Sequence, residues 1–94
     1  MIKYQIKRTS VFKKDFKNAV KSGLDIHAFE DVVRILQKGE ALPAKHKDHK
    51  LTGNWSGYRD CHITPDWVLI YQYKEKDLIL VLARTGSHSK LKLT

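Results

Sequence analysis

Residues 67–73 (WVLIYQY) constrain the fold most, because they are apolar on both faces of an extended chain. Such a segment is typical of a central strand, which has a neighbouring strand on each side and side chains covering both faces. The stretches before and after it, residues 57–63 and 77–84, have the alternation expected of those neighbours. Turn-forming residues at 64–66 and 74–76 keep the connections short. We therefore predict an antiparallel meander of three strands.

The first half of the chain predicts one strand and two helices. Residues 2–8 alternate loosely, as a strand does. Ser10 can cap a helix that starts near Val11, and Asp25 can cap a second helix that ends at Gly39. The apolar stripes of the two helices are Phe12, Phe16, Ala19 and Val20 in the first and Phe29, Val32, Val33 and Leu36 in the second.

The order β-α-α-β-β-β predicts an α+β fold made of one domain over residues 1–94. In this fold an antiparallel sheet carries a helical hairpin on one face, and the opposite face can stay open to solvent or substrate. No apolar run approaches the roughly 20 residues that span a bilayer, and the N-terminus lacks the apolar core of a secretory signal. The single cysteine, Cys61, fits a reducing compartment, so we expect no membrane association and a cytoplasmic protein.

The chain carries 18 Lys and Arg residues against 10 Asp and Glu residues, a net charge of +8. A field of this sign attracts polyanions. Nucleic acid is the favoured partner, and an acidic protein is the alternative.

Three histidines stand in segments that the predicted topology can bring to one edge of the sheet. His49 lies in the long loop, His62 in a strand and His88 in the tail, while Asp66 and Arg84 lie at strand ends. Histidine titrates near neutral pH. RNA can be cut by its own 2′-hydroxyl when a base removes that proton, an acid protonates the leaving 5′-oxygen and a cation stabilises the developing charge. The cluster therefore indicates phosphodiester cleavage, unless each histidine is merely a surface or capping residue.

Metal-dependent chemistry is the rival interpretation of the same residues. His46 and His49, together with His62, Asp66 or His88, could supply four ligands to a metal ion. The sequence contains no compact ligand motif, and it has neither a P-loop nor a dinucleotide-binding fingerprint. We therefore predict no metal and no cofactor.

Aromatic and basic residues near the histidines are candidates for RNA contact. Trp55 and Trp67 could stack on bases, although a loop tryptophan can also anchor its own loop and Trp67 begins a buried strand. Lys47 and Lys50 lie on either side of His49 and can contact phosphate groups.

Three motifs together resemble the YafQ branch of the RelE/ParE superfamily of bacterial toxin–antitoxin toxins. They are K-D-H-x-L at 47–51, W-x-G-Y-R-D-x-H-x-x-P-D-W at 55–67 and R-x-G-[ST]-H at 84–88. The resemblance covers essentially the whole chain. It implies a RelE-like fold and a ribosome-dependent endoribonuclease that cuts mRNA and stops translation. It also implies a cognate antitoxin that neutralises the toxin and through which alone operator DNA is contacted.

The resemblance assigns roles to individual positions of this chain. It implies that His88 is the general acid, that His49 or His62, helped by Asp66, orients or deprotonates the 2′-hydroxyl, and that Arg84 holds the phosphate. Trp67 would support the site. One position departs from the family: Lys92 stands where YafQ-like chains often carry Phe, and lysine can hold phosphate but cannot stack on a base. The alternative on the same fold is a non-catalytic toxin that binds RNA or poisons gyrase as ParE does.

Overall fold

A computed structural model describes residues 2–91, apart from the side chain of His88. The predicted contact of Lys92 with RNA therefore lies outside the described residues. The elements follow the predicted order, with one short strand added before the meander and one short helix added after it. They are β1 (Gln5–Arg8), α1 (Ser10–Lys21), α2 (Ile26–Gln37), β2 (His49–Lys50), β3 (Arg59–Thr64), β4 (Trp67–Lys74), β5 (Ile79–Ser87) and α3 (His88–Leu91).

The strands form one sheet in the order β1-β5-β4-β3-β2. The predicted meander of β3, β4 and β5 is confirmed, with antiparallel pairing throughout. The expectation of a wholly antiparallel sheet is wrong in one respect, since β1 runs parallel to β5. β1 and β5 are not consecutive strands, since two helices and three strands lie between them along the chain, so no short turn requires them to run in opposite directions. The two-residue strand β2 forms within the loop that the sequence leaves irregular, and it pairs antiparallel with β3.

The central position of β4 is confirmed by its burial on both faces. On one face Trp67 and Leu69 join the main core beneath the two long helices. On the other face Val68 and Ile70 join a second, smaller cluster. The predicted stripe of α2 is buried in the main core, as are Phe12 and Ala19 of α1, whereas Val20 is 47% exposed.

The face opposite the helices is only partly open. Its small cluster consists of Val68, Ile70, Ala83 and Leu91, against which Leu51, Trp55 and Tyr58 pack. Leu91 belongs to α3, so the short terminal helix folds back onto this face. The remaining open surface lies towards β2 and β3.

Two local expectations are corrected by the backbone. Thr9 caps α1 instead of Ser10, because its extended backbone lets Oγ1 accept the Phe12 N–H at 2.9 Å. The last strand runs past the predicted end at residue 84 to Ser87, because glycine tolerates the φ of 157° at Gly86. The cap at Asp25 is confirmed. No helix in residues 2–91 is both long and apolar enough to cross a membrane.

Candidate active site

A row of four residues crosses the sheet on the face opposite the helices. The register pairs His49 with Asp60, Asp60 with Ile70, and Ile70 with Arg84. Paired residues in neighbouring strands lie side by side, and the strands are about 4.8 Å apart. His49 and Arg84 therefore stand three strand spacings apart on one line.

A β-bulge sets the pairing of Arg84. The register shifts between Ile70 and Tyr71, so Tyr71 pairs with Leu82 while Ile70 pairs with Arg84 and Ala83 is left over. Simple alternation along β5 would instead put Ala83 beside Ile70. Bulges commonly redirect a side chain near a functional site. This one brings Arg84 into line with Asp60 and His49.

His49 is held through one nitrogen of its ring. Its Nδ1 lies 2.8 Å from the carbonyl oxygen of Lys47 and 3.0 Å from Oδ1 of Asp60. Both oxygens can only accept a hydrogen bond in their ordinary states, so Nδ1 carries a hydrogen, which it donates to the Lys47 carbonyl, while Oδ1 of Asp60 lies at ion-pair distance. The side chain of His49 is 55% exposed, whereas that of Asp60 is 1% exposed. In the neutral ring, Nε2 is then the nitrogen with the lone pair.

His62 lies on the same face of β3 as Asp60, two residues further along, and pairs with Val68. Its Nδ1 donates to the carbonyl oxygen of Pro65 at 3.2 Å. The backbone of His62 is also fixed, because its carbonyl oxygen accepts a hydrogen bond from Nδ1 of His46 at 2.7 Å. A cavity of about 340 Å³ adjoins His62 and His46. Both His49 and His62 thus use Nδ1 to contact a backbone carbonyl.

Arg84 is held by an acid of α1. Its Nε and Nη2 donate to the two carboxylate oxygens of Asp15 at 2.9 and 3.1 Å. The same carboxylate accepts the backbone N–H of Thr85 at 3.3 Å. The hydrogen bonds to Asp15 raise the pKa of Arg84 above its ordinary value, so the guanidinium stays positively charged.

Trp67 is fully buried, so the prediction that it contacts RNA directly is wrong for this structure. Its indole packs against Phe29, with 5.6 Å between ring centroids, and Nε1 donates to Oγ1 of Thr85 at 2.6 Å. Since Thr85 follows Arg84, Trp67 can support the site only from within the core. Trp55 is half-buried and lies edge-on to Tyr58, while Lys47 and Lys50 are exposed. These three remain candidates for RNA contact.

Asp66 and His88 belong to the same end of the sheet. Asp66 is exposed in the turn between β3 and β4, directly before Trp67, and Trp67 pairs with Ser87. His88 follows Ser87 as the first residue of α3. Asp66, Ser87 and Asp15 line a cavity of about 230 Å³.

The acid that contacts His49 is Asp60, which the sequence analysis does not predict as a site residue.

Asp48 is a second residue that sequence reasoning missed. The hydroxyl of Tyr71 donates to its Oδ1 at 2.5 Å, and Arg59 reaches both of its oxygens at 3.3 Å. Arg59 therefore pairs with Asp48 and not with its neighbour Asp60, because adjacent residues of a strand point to opposite faces. Asp48 ties the segment that carries His49 to the central strand.

The signal for both missed acids is present in the sequence. Asp60 alternates onto the face of His62 in the strand that follows the loop, and Asp48 directly precedes His49. An acid in such a position needs a partner, because burying an unpaired charge is costly. Among residues 2–91, leaving out the side chain of His88, no three His, Cys, Asp or Glu side chains are grouped so that they could hold a metal ion.

Comparison with known proteins gives consistent matches along the chain. The family described as "Bacterial toxin of type II toxin-antitoxin system, YafQ" matches residues 4–93. The mRNA interferase toxin YafQ of Escherichia coli (strain K12) is 40% identical over 92 residues, which are 97% of this chain and 98% of that protein. In the crystal structure of the E. coli DinJ–YafQ toxin–antitoxin complex, a chain 40% identical to this one superposes with a TM-score of 0.84, covering 96% of this chain and 98% of that chain. A metal-bound toxin from Helicobacter pylori is 41% identical, with a TM-score of 0.87 and 97% and 99% of the two chains covered.

Proposed function

The chain belongs to the YafQ family of bacterial type II toxin–antitoxin toxins, and from that membership we propose that it stops translation by cutting mRNA on the ribosome. It is an mRNA interferase, an endoribonuclease acting on messenger RNA, and a type II toxin has a cognate antitoxin protein as its partner. The proposal adds two finer points: cleavage depends on the ribosome, and histidines perform acid–base catalysis without a metal or cofactor.

One observation carries the catalytic part of the proposal. His49 and His62 lie on one face of the sheet, and each donates through Nδ1 to a backbone carbonyl. Each ring can therefore accept a proton at Nε2 when it is neutral. A protein that only binds RNA has no need for two histidines arranged in this way beside a fixed arginine.

In the proposed reaction, Nε2 of His49 or His62 takes the proton of the 2′-hydroxyl. The 2′-oxygen then forms a bond to phosphorus as the bond from phosphorus to the 5′-oxygen breaks. His88 gives a proton to that leaving oxygen, so the products are a 2′,3′-cyclic phosphate and a 5′-hydroxyl. Arg84 stabilises the negative charge that develops on the phosphate. Asp66 helps to orient the base.

The charge of the protein supports a substrate that is presented by the ribosome. A net charge of +8 favours contact with ribosomal RNA as well as with the message. Lys47, Lys50, Trp55 and Lys92 are proposed to contact RNA. Operator DNA would be contacted only through the antitoxin. We expect the toxin to act in the cytoplasm, where translating ribosomes are found.

The experiment that tests this function maps the 5′ ends of mRNA after brief induction of the toxin. The wild type is compared with His62→Ala and His88→Ala at matched protein levels. We expect new ends in phase with codons on translated messages, reduced or lost in both variants. Growth arrest without new 5′ ends would overturn the proposal and indicate a binding toxin, for which gyrase is the next target to test. Efficient cleavage of naked RNA would overturn the dependence on the ribosome.

A further inference from the structure

We propose that Asp60 is a positioning residue that fixes the ring of His49, so that Nε2 of His49 is the atom that accepts the proton of the 2′-hydroxyl. This inference rests on the proposed function and goes beyond it, because it selects the reacting nitrogen and names the group that holds the ring. The pair resembles the arrangement in which a buried carboxylate orients a catalytic imidazole.

The position of Asp60 is unusual for an acid. It lies in β3 between β2 and β4, and its side chain is 1% exposed. Its register neighbours are His49 on one side and the apolar Ile70 on the other. Removing a carboxylate from water is expensive unless hydrogen bonds or a cation compensate for it. A purely structural strand would be more stable with an apolar residue at this position.

The contacts of His49 determine which nitrogen reacts. Nδ1 faces two oxygens, the Lys47 carbonyl at 2.8 Å and Asp60 Oδ1 at 3.0 Å, so its hydrogen cannot move to the other nitrogen without leaving a lone pair against them. Nε2 is on the other side of a ring that is 55% exposed. The substrate can therefore reach the atom that has the free lone pair.

The two oxygens contribute differently during the reaction. The carbonyl of Lys47 is a neutral acceptor, which can hold the hydrogen on Nδ1 before and after proton transfer. Oδ1 of Asp60 lies at ion-pair distance from Nδ1, and a carboxylate attracts the positively charged imidazolium more strongly than the neutral ring. Asp60 therefore interacts most strongly with the imidazolium that forms when Nε2 takes the proton. Its effect belongs to the step in which His49 becomes charged.

The first test needs neither a substitution nor the ribosome. Two-bond ¹H–¹⁵N correlation spectra of the purified wild-type protein report which ring nitrogen carries the hydrogen in neutral His49, with His49→Gln used to assign the signal. We expect the Nδ1–H tautomer. Finding the Nε2–H tautomer would overturn the proposal even if the protein proves to be a ribosome-dependent nuclease.

The second test asks whether Asp60 acts through His49. Single-turnover cleavage on saturating ribosomes is measured for Asp60→Asn, His49→Ala and the double variant. We expect Asp60→Asn to slow cleavage roughly 10- to 100-fold, a fraction of what a general base contributes, with ribosome affinity unchanged. In the His49→Ala background, Asp60→Asn should slow cleavage much less than it does in the wild type. An equal loss in both backgrounds would overturn the proposal.

A matched control separates the effect of position from the effect of charge. Asp77→Asn makes the same change in net charge in the exposed turn between β4 and β5, far from this row. We expect wild-type cleavage from Asp77→Asn. A loss equal to that of Asp60→Asn would show that the net charge of the protein is responsible, and it would overturn the positioning role.

Discussion

Arg84 and Asp15 form a two-point ion pair that joins the last strand to the first helix, with nitrogen–oxygen distances of 2.9 and 3.1 Å. Asp15 is buried, whereas Arg84 keeps about a third of its side chain exposed. The guanidinium is thus fixed from the side of the core and accessible from the side of the solvent. An arginine held in this way can meet a phosphate without first losing much conformational entropy.

Replacing Asp15 by Asn should weaken both the fold and the site. The variant leaves the partly buried charge of Arg84 without its partner, and we expect a loss of about 1–3 kcal/mol in the free energy of unfolding. Urea denaturation measures this loss. Asp31→Asn is the matched control, because it breaks the exposed pair with Arg34, for which we expect at most about 0.5 kcal/mol. Equal losses in the two variants would mean that the pair with Arg84 has no special structural role.

The hydroxyl of Tyr71 should control the segment that carries His49. Tyr71→Phe removes the hydrogen bond to Asp48, so we expect faster amide hydrogen exchange in β2 and slower mRNA cleavage, with a loss of roughly 1 kcal/mol in stability. Tyr73→Phe is the control, since it removes a hydrogen bond to the Leu36 carbonyl of α2. The control should lose similar stability while it retains cleavage. If Tyr71→Phe cleaves RNA at the wild-type rate, Asp48 does not position His49.

Removal of divalent metal should leave cleavage unchanged. The proposed mechanism uses only side chains, although a related toxin from Helicobacter pylori has been solved in a metal-bound form. The assay compares single-turnover cleavage on ribosomes before and after the toxin alone is treated with EDTA and returned to standard buffer. A loss of activity that zinc restores would contradict the prediction and would favour the rival metal site around His46 and His49.

The fold and the candidate site differ in how much the sequence could predict. Alternation and apolar runs predict the meander, because each strand pattern reports which faces are buried. The parallel pairing of β1 with β5 escapes prediction, since it depends on the path of the helices and not on a local pattern. The bulge beside Ala83 cannot be predicted from a local pattern either, because it adds one residue to β5 without a glycine or proline at that position.

Within the site, the histidines could be selected by their chemistry, but their partners could not. Asp60 lies eleven positions after His49 and meets it only because β2 forms in a stretch that lacks a strand pattern. The resemblance implies that Arg84 holds phosphate, but its ion pair with Asp15 depends on how α1 lies against β5. Contacts between distant segments require the tertiary fold, which local patterns specify only indirectly.

Alkaline pH should destabilise the protein through its buried weak acids. Burial raises the pKa of Cys61 and of Tyr73, and burial together with the hydrogen bond to Asp48 raises the pKa of Tyr71. A raised pKa in the folded state means that the unfolded chain loses its proton first. Stability is therefore complete below the ordinary values of about 8.5 for cysteine and 10 for tyrosine, and it falls as the pH rises above them. Melting temperatures measured from pH 7 to 11 should decline above about pH 9.

A variant separates this effect from general alkaline damage. Cys61→Ala removes the thiol that loses its proton at the lowest pH in the unfolded state, so the decline of its melting temperature should begin at higher pH than in the wild type. Its melting temperature at pH 7 should be somewhat lower, because a buried side chain has been shortened. A decline that begins at the same pH in both proteins would show that the thiol does not contribute.

Substitution of Trp67 should mainly reduce stability, whereas substitution of Trp55 should mainly reduce RNA binding. Trp67 is buried and donates to Thr85, so Trp67→Phe should reduce stability by about 1–3 kcal/mol through lost volume and a lost buried hydrogen bond. Trp55 is half-buried, and Trp55→Ala should weaken ribosome or RNA binding with a smaller loss of stability. Thermal denaturation and ribosome co-sedimentation at fixed salt distinguish the two effects. If Trp67→Phe keeps full stability but binds RNA poorly, the indole reaches the substrate in the active complex and its role is not confined to the core.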